Sequence, residues 1–180
     1  MRSAPLSAFD KLEAPPETEG MDLSACTAAD LLKLHVEVAD ELRRRGITRS
    51  ANNPTGDLAE YVFRKAFGWE PAGNSNANFD AVDSEGKLYQ IKGRRVTRFN
   101  PSRQLSAIRD LAGGHFHFLA GVIFAEDFSV QRAAIIPHEV VVASAAFVAR
   151  TNSHKFLLRD TIWDQPGVRD VTPELRAIRL

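Results

Sequence analysis

The segment from Asn76 to Arg95, NANFDAVDSEGKLYQIKGRR, constrains the fold more than any other stretch of the chain. Its middle, Asp83-Ser84-Glu85-Gly86-Lys87, has the composition of a three-residue hairpin loop, with Gly86 free to take the positive φ such loops need. Pairing Asp83 with Lys87 sets Val82 opposite Leu88, Ala81 opposite Tyr89 and Asp80 opposite Gln90. Side chains alternate along a strand, so Asp80, Val82, Leu88, Gln90 and Lys92 share one face and Tyr89 falls on the other, with the core. Directly opposed Cβ atoms lie roughly 4.5–5.5 Å apart. Two oxygen donors, the Asp80 carboxylate and the Gln90 carbonyl, are thus within reach of one metal ion, with the Lys92 ammonium beside them. These are the groups that metal-assisted phosphodiester hydrolysis requires. A plain cross-strand ion pair between Asp80 and Lys92 is the alternative. Against it, a strand that feeds a buried crossover unit is expected to be apolar on both faces, so polar residues retained there call for a functional reason.

Composition narrows the class. With 180 residues, the chain is expected to form one domain with a sizeable core. No stretch approaches the roughly 18 apolar residues of a membrane span, and the N-terminus lacks the apolar run of a secretory signal. Cys26 is the single cysteine, which excludes an intrachain disulfide and suits a reducing compartment. The expectation is a cytoplasmic protein with no membrane partner. The 23 basic and 23 acidic residues cancel, but not locally. Lys92, Arg94, Arg95, Arg98 and Arg103 follow the hairpin without an intervening acid, a distribution suited to a polyanion.

Periodicity supplies the surrounding elements. Residues 1–20 are rich in Pro, Ala and Glu and lack a pattern, so residues 1–25 read as a mobile tail and 26–180 as the domain. Thr27 and Asp30 form a relaxed capping box ahead of a helix carrying Leu31, Leu34, Val38 and Leu42, stopped at Gly46. Arg43, Arg44 and Arg45 suit the negative end of its dipole. After the Asn52-Asn53-Pro54 turn, a helix is expected from Thr55 to Phe67, with Leu58, Tyr61, Val62 and Ala66 as its stripe. Glu60 lies within it, its simplest partner being Arg64 one turn later. Trp69-Glu70-Pro71 reads as an edge strand. Asn100-Pro101-Ser102 is expected to open a helix to about Leu111, stopped by Gly113-Gly114. The apolar run His117 to Phe124 predicts a buried strand, and Ser129 to Ile136 another. Pro137 suits the first turn of a helix to about Phe147, Lys155 to Arg159 a short strand, and Thr172-Pro173 the start of a terminal helix.

Asp80, then Gln90-Ile91-Lys92 across the hairpin, with Glu60 on the preceding helix, resembles the PD-(D/E)xK nuclease superfamily. Glutamine in place of the second acid resembles its Mrr-type restriction endonuclease branch. The resemblance covers roughly Thr55 to Phe124. Phe79 stands where the motif has proline, and Gln90 is neutral. The resemblance implies an α/β fold, bordering on α+β, with a restriction-endonuclease-like mixed central sheet flanked by helices. It implies Mg²⁺ or Mn²⁺ held by Asp80, with Gln90 at the second ligand position, the Ile91 backbone carbonyl as a further ligand, and Glu60 completing the site. Lys92 would orient water and stabilise charge on the phosphate. Arg94, Arg95, Arg98 and Arg103 would then contact DNA phosphates. The implied activity is metal-dependent DNA endonuclease cleavage in restriction, phage defence or repair, with a homodimer left open. A catalytically inactive module of the same fold, binding nucleic acid or a protein partner, is the alternative.

Overall fold

The computed structural model describes residues 22–50, 52–73 and 79–180. The expected mobile tail lies outside the described residues up to Met21, as does the loop at 74–78. Two compact units divide between Glu37 and Val38, inside the first long helix. That helix, α1 (Ala28–Arg44), starts as its capping box requires: Thr27 N and Oγ1 both donate to Asp30 Oδ2, and Asp30 N donates back to Thr27 Oγ1. Gly46 takes a φ of 71° just beyond it. Helix α1 buries none of its residues, so the stripe at Leu31 and Val38 stays exposed.

The second unit is a mixed α/β fold. Helix α2 (Thr55–Phe67) ends at Gly68 in the left-handed conformation, the expected bounds at both ends. Strands β1 (Glu70–Pro71), β2 (Ala81–Val82) and β3 (Leu88–Arg95) follow, then β4 (Phe118–Phe124), β5 (Val130–Pro137) and helix α3 (His138–Ser144). The chain closes with β6 (Ala146–Val148), β7 (Ser153–Lys155), β8 (Arg169–Asp170) and helix α4 (Thr172–Arg176). Six strands form one sheet in the order β1-β2-β3-β4-β5-β8, while β6 and β7 pair separately. Only the β3–β4 pair is parallel; the remaining neighbours in the large sheet are antiparallel. The hairpin register is the one its turn dictates, with Ala81 opposite Tyr89 and Val82 opposite Leu88.

A parallel pair needs a crossover, and here the crossover is not a helix. Residues 100–110 contain no helical turn, and a single 3₁₀ turn covers Leu111–Gly113. The expected helix over this stretch is therefore incorrect. Its apolar residues Leu105, Ile108 and Leu111 recur every three positions and are all buried, so helical periodicity was present without a helix. The backbone instead finds its partners far along the chain. Leu105 N donates to Phe156 O and Ile108 N to His154 O, each at 3.0 Å, and His154 N returns a bond to Ile108 O at 2.8 Å. Long-range pairing satisfied these groups in place of the i→i+4 ladder. Helix α3 likewise stops at Ser144, before the expected Phe147, where Ala146 to Val148 pair with β7.

The sheet separates two cores. On one face, α2 and α4 cover Tyr89, Ile91 and Ala120 with Ala59, Val62, Phe63 and Leu175. Trp69 stacks on Tyr89 with ring centres 3.7 Å apart and on Phe67 at 5.1 Å, closing the β1 edge. On the other face, Leu105, Ile108, Val141, Phe156 and Leu158 cover Leu119, Ile123 and Ile136. Helix α2 approaches β3 unusually closely at Gly93. A Cβ there would lie 2.8 Å from both the Ala59 Cβ and the Thr55 carbonyl oxygen. Neither neighbour is a flexible side-chain end, so only glycine permits this approach. Gly93→Ala is expected to destabilise the protein by about 1–3 kcal/mol through overpacking. A denaturant midpoint unchanged from the wild type would contradict the close α2–β3 contact.

Candidate active site

The consequence of that contact is where it leaves Glu60. Ala59 is pinned against β3, and Glu60, the next residue, is half-buried and lines the cavity beside the strand. Asp80, just before β2, turns towards the same seam. Its Oδ2 accepts from Ile91 N at 2.7 Å and also from the Gln90 side-chain amide. Ile91 N is free to make this bond because β2 pairs only as far as Tyr89. The N–H and C=O of a strand residue point to the same edge, so the Ile91 carbonyl also faces the edge that β2 has vacated. Glu60, Asp80, Ile91 and Lys92 line one cavity of about 650 Å³, together with Asn53, Gly93 and the first of the basic residues.

The four expected residues do not all take the expected posture. Gln90 is buried, and its NH₂ group donates to Asp80. The amide braces the carboxylate, and Gln90 does not line the cavity that Asp80 shares with Glu60, so it is not placed as the expected second oxygen ligand there. Asp80 Oδ1 has no partner among the described residues. Glu60 is held by Arg49, whose Nη2 lies 2.6 Å from Glu60 Oε1, and the same guanidinium reaches Asp57 Oδ1 at 3.3 Å. Arg64, the partner expected from helical spacing, donates instead to the Trp69 carbonyl at 3.4 Å. Burial pushes the Glu60 carboxyl above the usual range; the nearby Asp80 charge adds to this and Arg49 opposes it. Burial and a neighbouring negative charge, the two causes at Glu60, are what a bound cation would offset.

The expected basic residues divide. Arg94 and Arg95 line the cavity. Each is partly tied to backbone, Arg94 Nε to Ser102 O and Arg95 Nε to Glu126 O, both at 2.9 Å. Arg98 lies over Phe99, and Arg103 pairs with Asp160 at 2.8 Å beside Arg132; neither lines the cavity. Lys92 enters no ion pair or side-chain hydrogen bond among the described residues.

Sequence reasoning missed Arg49. The turn at Asn52-Asn53-Pro54 implied a chain reversal, but nothing in the spacing named Glu60 as its partner eleven positions on. It also missed a second cavity, of about 510 Å³, that begins at the same Asp80 and Lys92 and extends past Gln90 and Ser106 to Arg109 and His115. His115 Nε2 lies 2.6 Å from Asp110 Oδ2. Asp110 has a φ of 45°, a left-handed conformation costing a non-glycine residue on the order of 1–2 kcal/mol. A single exposed hydrogen bond returns about 1 kcal/mol, so this contact alone does not offset the strain.

Among the described residues, no three His, Cys, Asp or Glu side chains come together as a metal-binding group. The donors at the first cavity are two carboxylates, Asp80 and Glu60, and the Ile91 carbonyl. An all-oxygen set of this kind suits a hard divalent cation that retains water, not zinc. No protein-family model matches the chain, and no curated protein matches it in sequence. Among the described residues, no helix is long and apolar enough to cross a membrane.

The raised Glu60 proton affinity has a sign that can be checked. Between its ordinary value of 4.5 and its higher folded value, the folded state binds more protons than the unfolded state. Wild-type stability contributed by this group is therefore lost as pH rises through that window. Glu60→Gln is expected to gain stability relative to wild type as pH increases across it. Parallel stability curves for the two proteins would contradict the assignment.

Proposed function

We propose that the protein is a divalent-metal-dependent nuclease that hydrolyses phosphodiester bonds in DNA, in restriction, phage defence or repair. The observation that carries this reading is the convergence of Asp80, Glu60 and an unpaired Lys92 on one cavity bordered by Arg94 and Arg95. Asp80, Glu60 and the Ile91 carbonyl would hold Mg²⁺ or Mn²⁺. The cation would supply Lewis-acid polarisation of the phosphoryl group and a water of lowered pKa. Lys92, which pairs with no carboxylate among the described residues, stabilises charge developing on the phosphate oxygens. Arg94 and Arg95 seat the backbone on one side of that phosphate. Gln90 fixes the Asp80 carboxylate by hydrogen bonding to Oδ2 and leaves Oδ1 to face the cavity. Arg49 neutralises Glu60 and Asp57 in the absence of a metal.

The posture of Gln90 also favours a second reading, in which the cavity binds nucleic acid without cleaving it. Incubation with plasmid, linear and branched DNA at matched Mg²⁺ or Mn²⁺ concentrations separates the two. Asp80→Ala and Lys92→Ala are each expected to reduce cleavage by at least a hundredfold, the scale of losing one aligned charge-stabilising group. Full activity in either folded variant would overturn the mechanism.

Gln90→Glu tests the metal site without an activity assay. It replaces an amide donating to Asp80 with a second carboxylate against it, so the metal-free variant is expected to lose about 1–3 kcal/mol. Mn²⁺ should then raise its Tm by more than it raises that of the wild type, because the cation relieves the repulsion. A variant as insensitive to Mn²⁺ as to its absence would place no cation at Asp80.

A further inference from the structure

The two cavities share Asp80, Lys92 and Ser106, so they are arms of one groove crossing the end of the β2–β3 hairpin. The first arm carries the residues already assigned. The second is lined by Gln90, Arg109, Asp110, His115 and Phe116 beyond the shared residues. We propose that this second arm is a phosphate subsite, with Arg109 as its anion ligand, holding the backbone of the nucleic acid on the opposite side of Lys92 from Arg94 and Arg95. The inference rests on the nuclease reading and extends it: substrate runs through the site in both directions.

Three observations support it. Arg109 enters no ion pair or side-chain hydrogen bond among the described residues, although it lines a cavity. Most arginines of the second unit near this groove are engaged: Arg49 on Glu60, Arg94 on Ser102 O, and Arg103 and Arg132 on Asp160. The loop that carries Arg109 is also locked. Asp110, the next residue, is held left-handed and bonded to His115, and the Leu111 carbonyl accepts from His138 Nε2 at 2.9 Å while the Leu111 side chain is buried. Finally, the lock depends on Gly113, where a Cβ would lie 2.4 Å from His115 Nε2 and 2.7 Å from Asp110 Oδ2. Asp110 is the one carboxylate of this loop within the arm, and His115 engages it. The remaining charges at the arm are Lys92 and Arg109 against Asp80, whose Oδ2 is already bonded. A phosphodiester is the anion that fits, because its neighbour in the same polymer occupies the first arm. His115 and Asp110 are positioning residues here; Arg109 touches the ligand.

The test is equilibrium binding of a labelled DNA duplex, in EDTA, across a range of NaCl concentrations. Each phosphate contact contributes about 0.9 to the slope of log affinity against log salt. Arg109→Ala should reduce that slope by about this amount, equally for unrelated sequences, whereas Arg109→Lys should keep it. His115→Gln, which releases the loop, should shift the slope in the same direction by a smaller amount. If Lys92→Ala flattens the slope and Arg109→Ala does not, Arg109 faces solvent and the subsite is overturned while the nuclease reading stands. If Arg109→Lys behaves like Arg109→Ala, the contact is not one of charge and the proposal fails. If the wild-type protein binds no duplex at all, both the subsite and the reading beneath it fall.

Discussion

Everything at the candidate site follows from the absence of a side chain at Gly93. Side chains on both elements ordinarily hold a helix off the sheet it covers. At Gly93 the gap closes until the helix backbone itself, through the Thr55 carbonyl, meets the strand. That approach sets the height of α2 above β3 and turns Ala59 into the contact and Glu60 into the residue beside it. Had position 93 carried a methyl group, the helix would ride further out and its carboxylate would face solvent, away from Asp80. The shortness of β2 matters in the same way: because the strand begins only at Ala81, opposite Tyr89, Ile91 N has no ladder partner in β2 and can hold Asp80.

Glu60 sits beside the Asp80 charge, and Arg49 opposes that repulsion. Its guanidinium binds Glu60 and Asp57 at once, and the Arg49 backbone N–H donates to Asp57 at 2.8 Å. A cation on a flexible side chain is displaceable, unlike one fixed in the core, and its own side chain is largely exposed. Arg49 is thus the internal cation that neutralises the carboxylates on this side of the candidate site.

The sequence revealed what is locally encoded and missed what is not. The Asp83 to Lys87 turn specifies a register by chemistry that needs no distant partner, and α2 carries its own stripe and its own glycine stop, so both were legible to the residue. Residues 100–111 were misread because Leu105, Ile108 and Leu111 present helical spacing while their hydrogen bonds lie with residues 154–158. A stretch with Pro101 near its start and a long-range backbone partner cannot be told from a helix by periodicity. Of the residues expected at the candidate site, Asp80 and Lys92 were named from the turn and Glu60 from the resemblance, and the three line one cavity. Arg49, Arg109 and the Asp110–His115 pair were not named, since each takes its role from loops whose paths are set by packing.

The irregular crossover has a consequence for how the chain acquires its fold. A helical crossover forms from its own residues, and the parallel pair it joins can then zip. Here the segment between β3 and β4 has no internal ladder, and its first stable partners lie about fifty residues further on. Contacts of that sequence separation raise contact order, which slows folding. During synthesis, the antiparallel hairpin can assemble as soon as it emerges. The groove floor beside Lys92 must wait for Phe156 and its neighbours, so a chain interrupted before them would hold the hairpin residues in register with one wall of the groove unsupported.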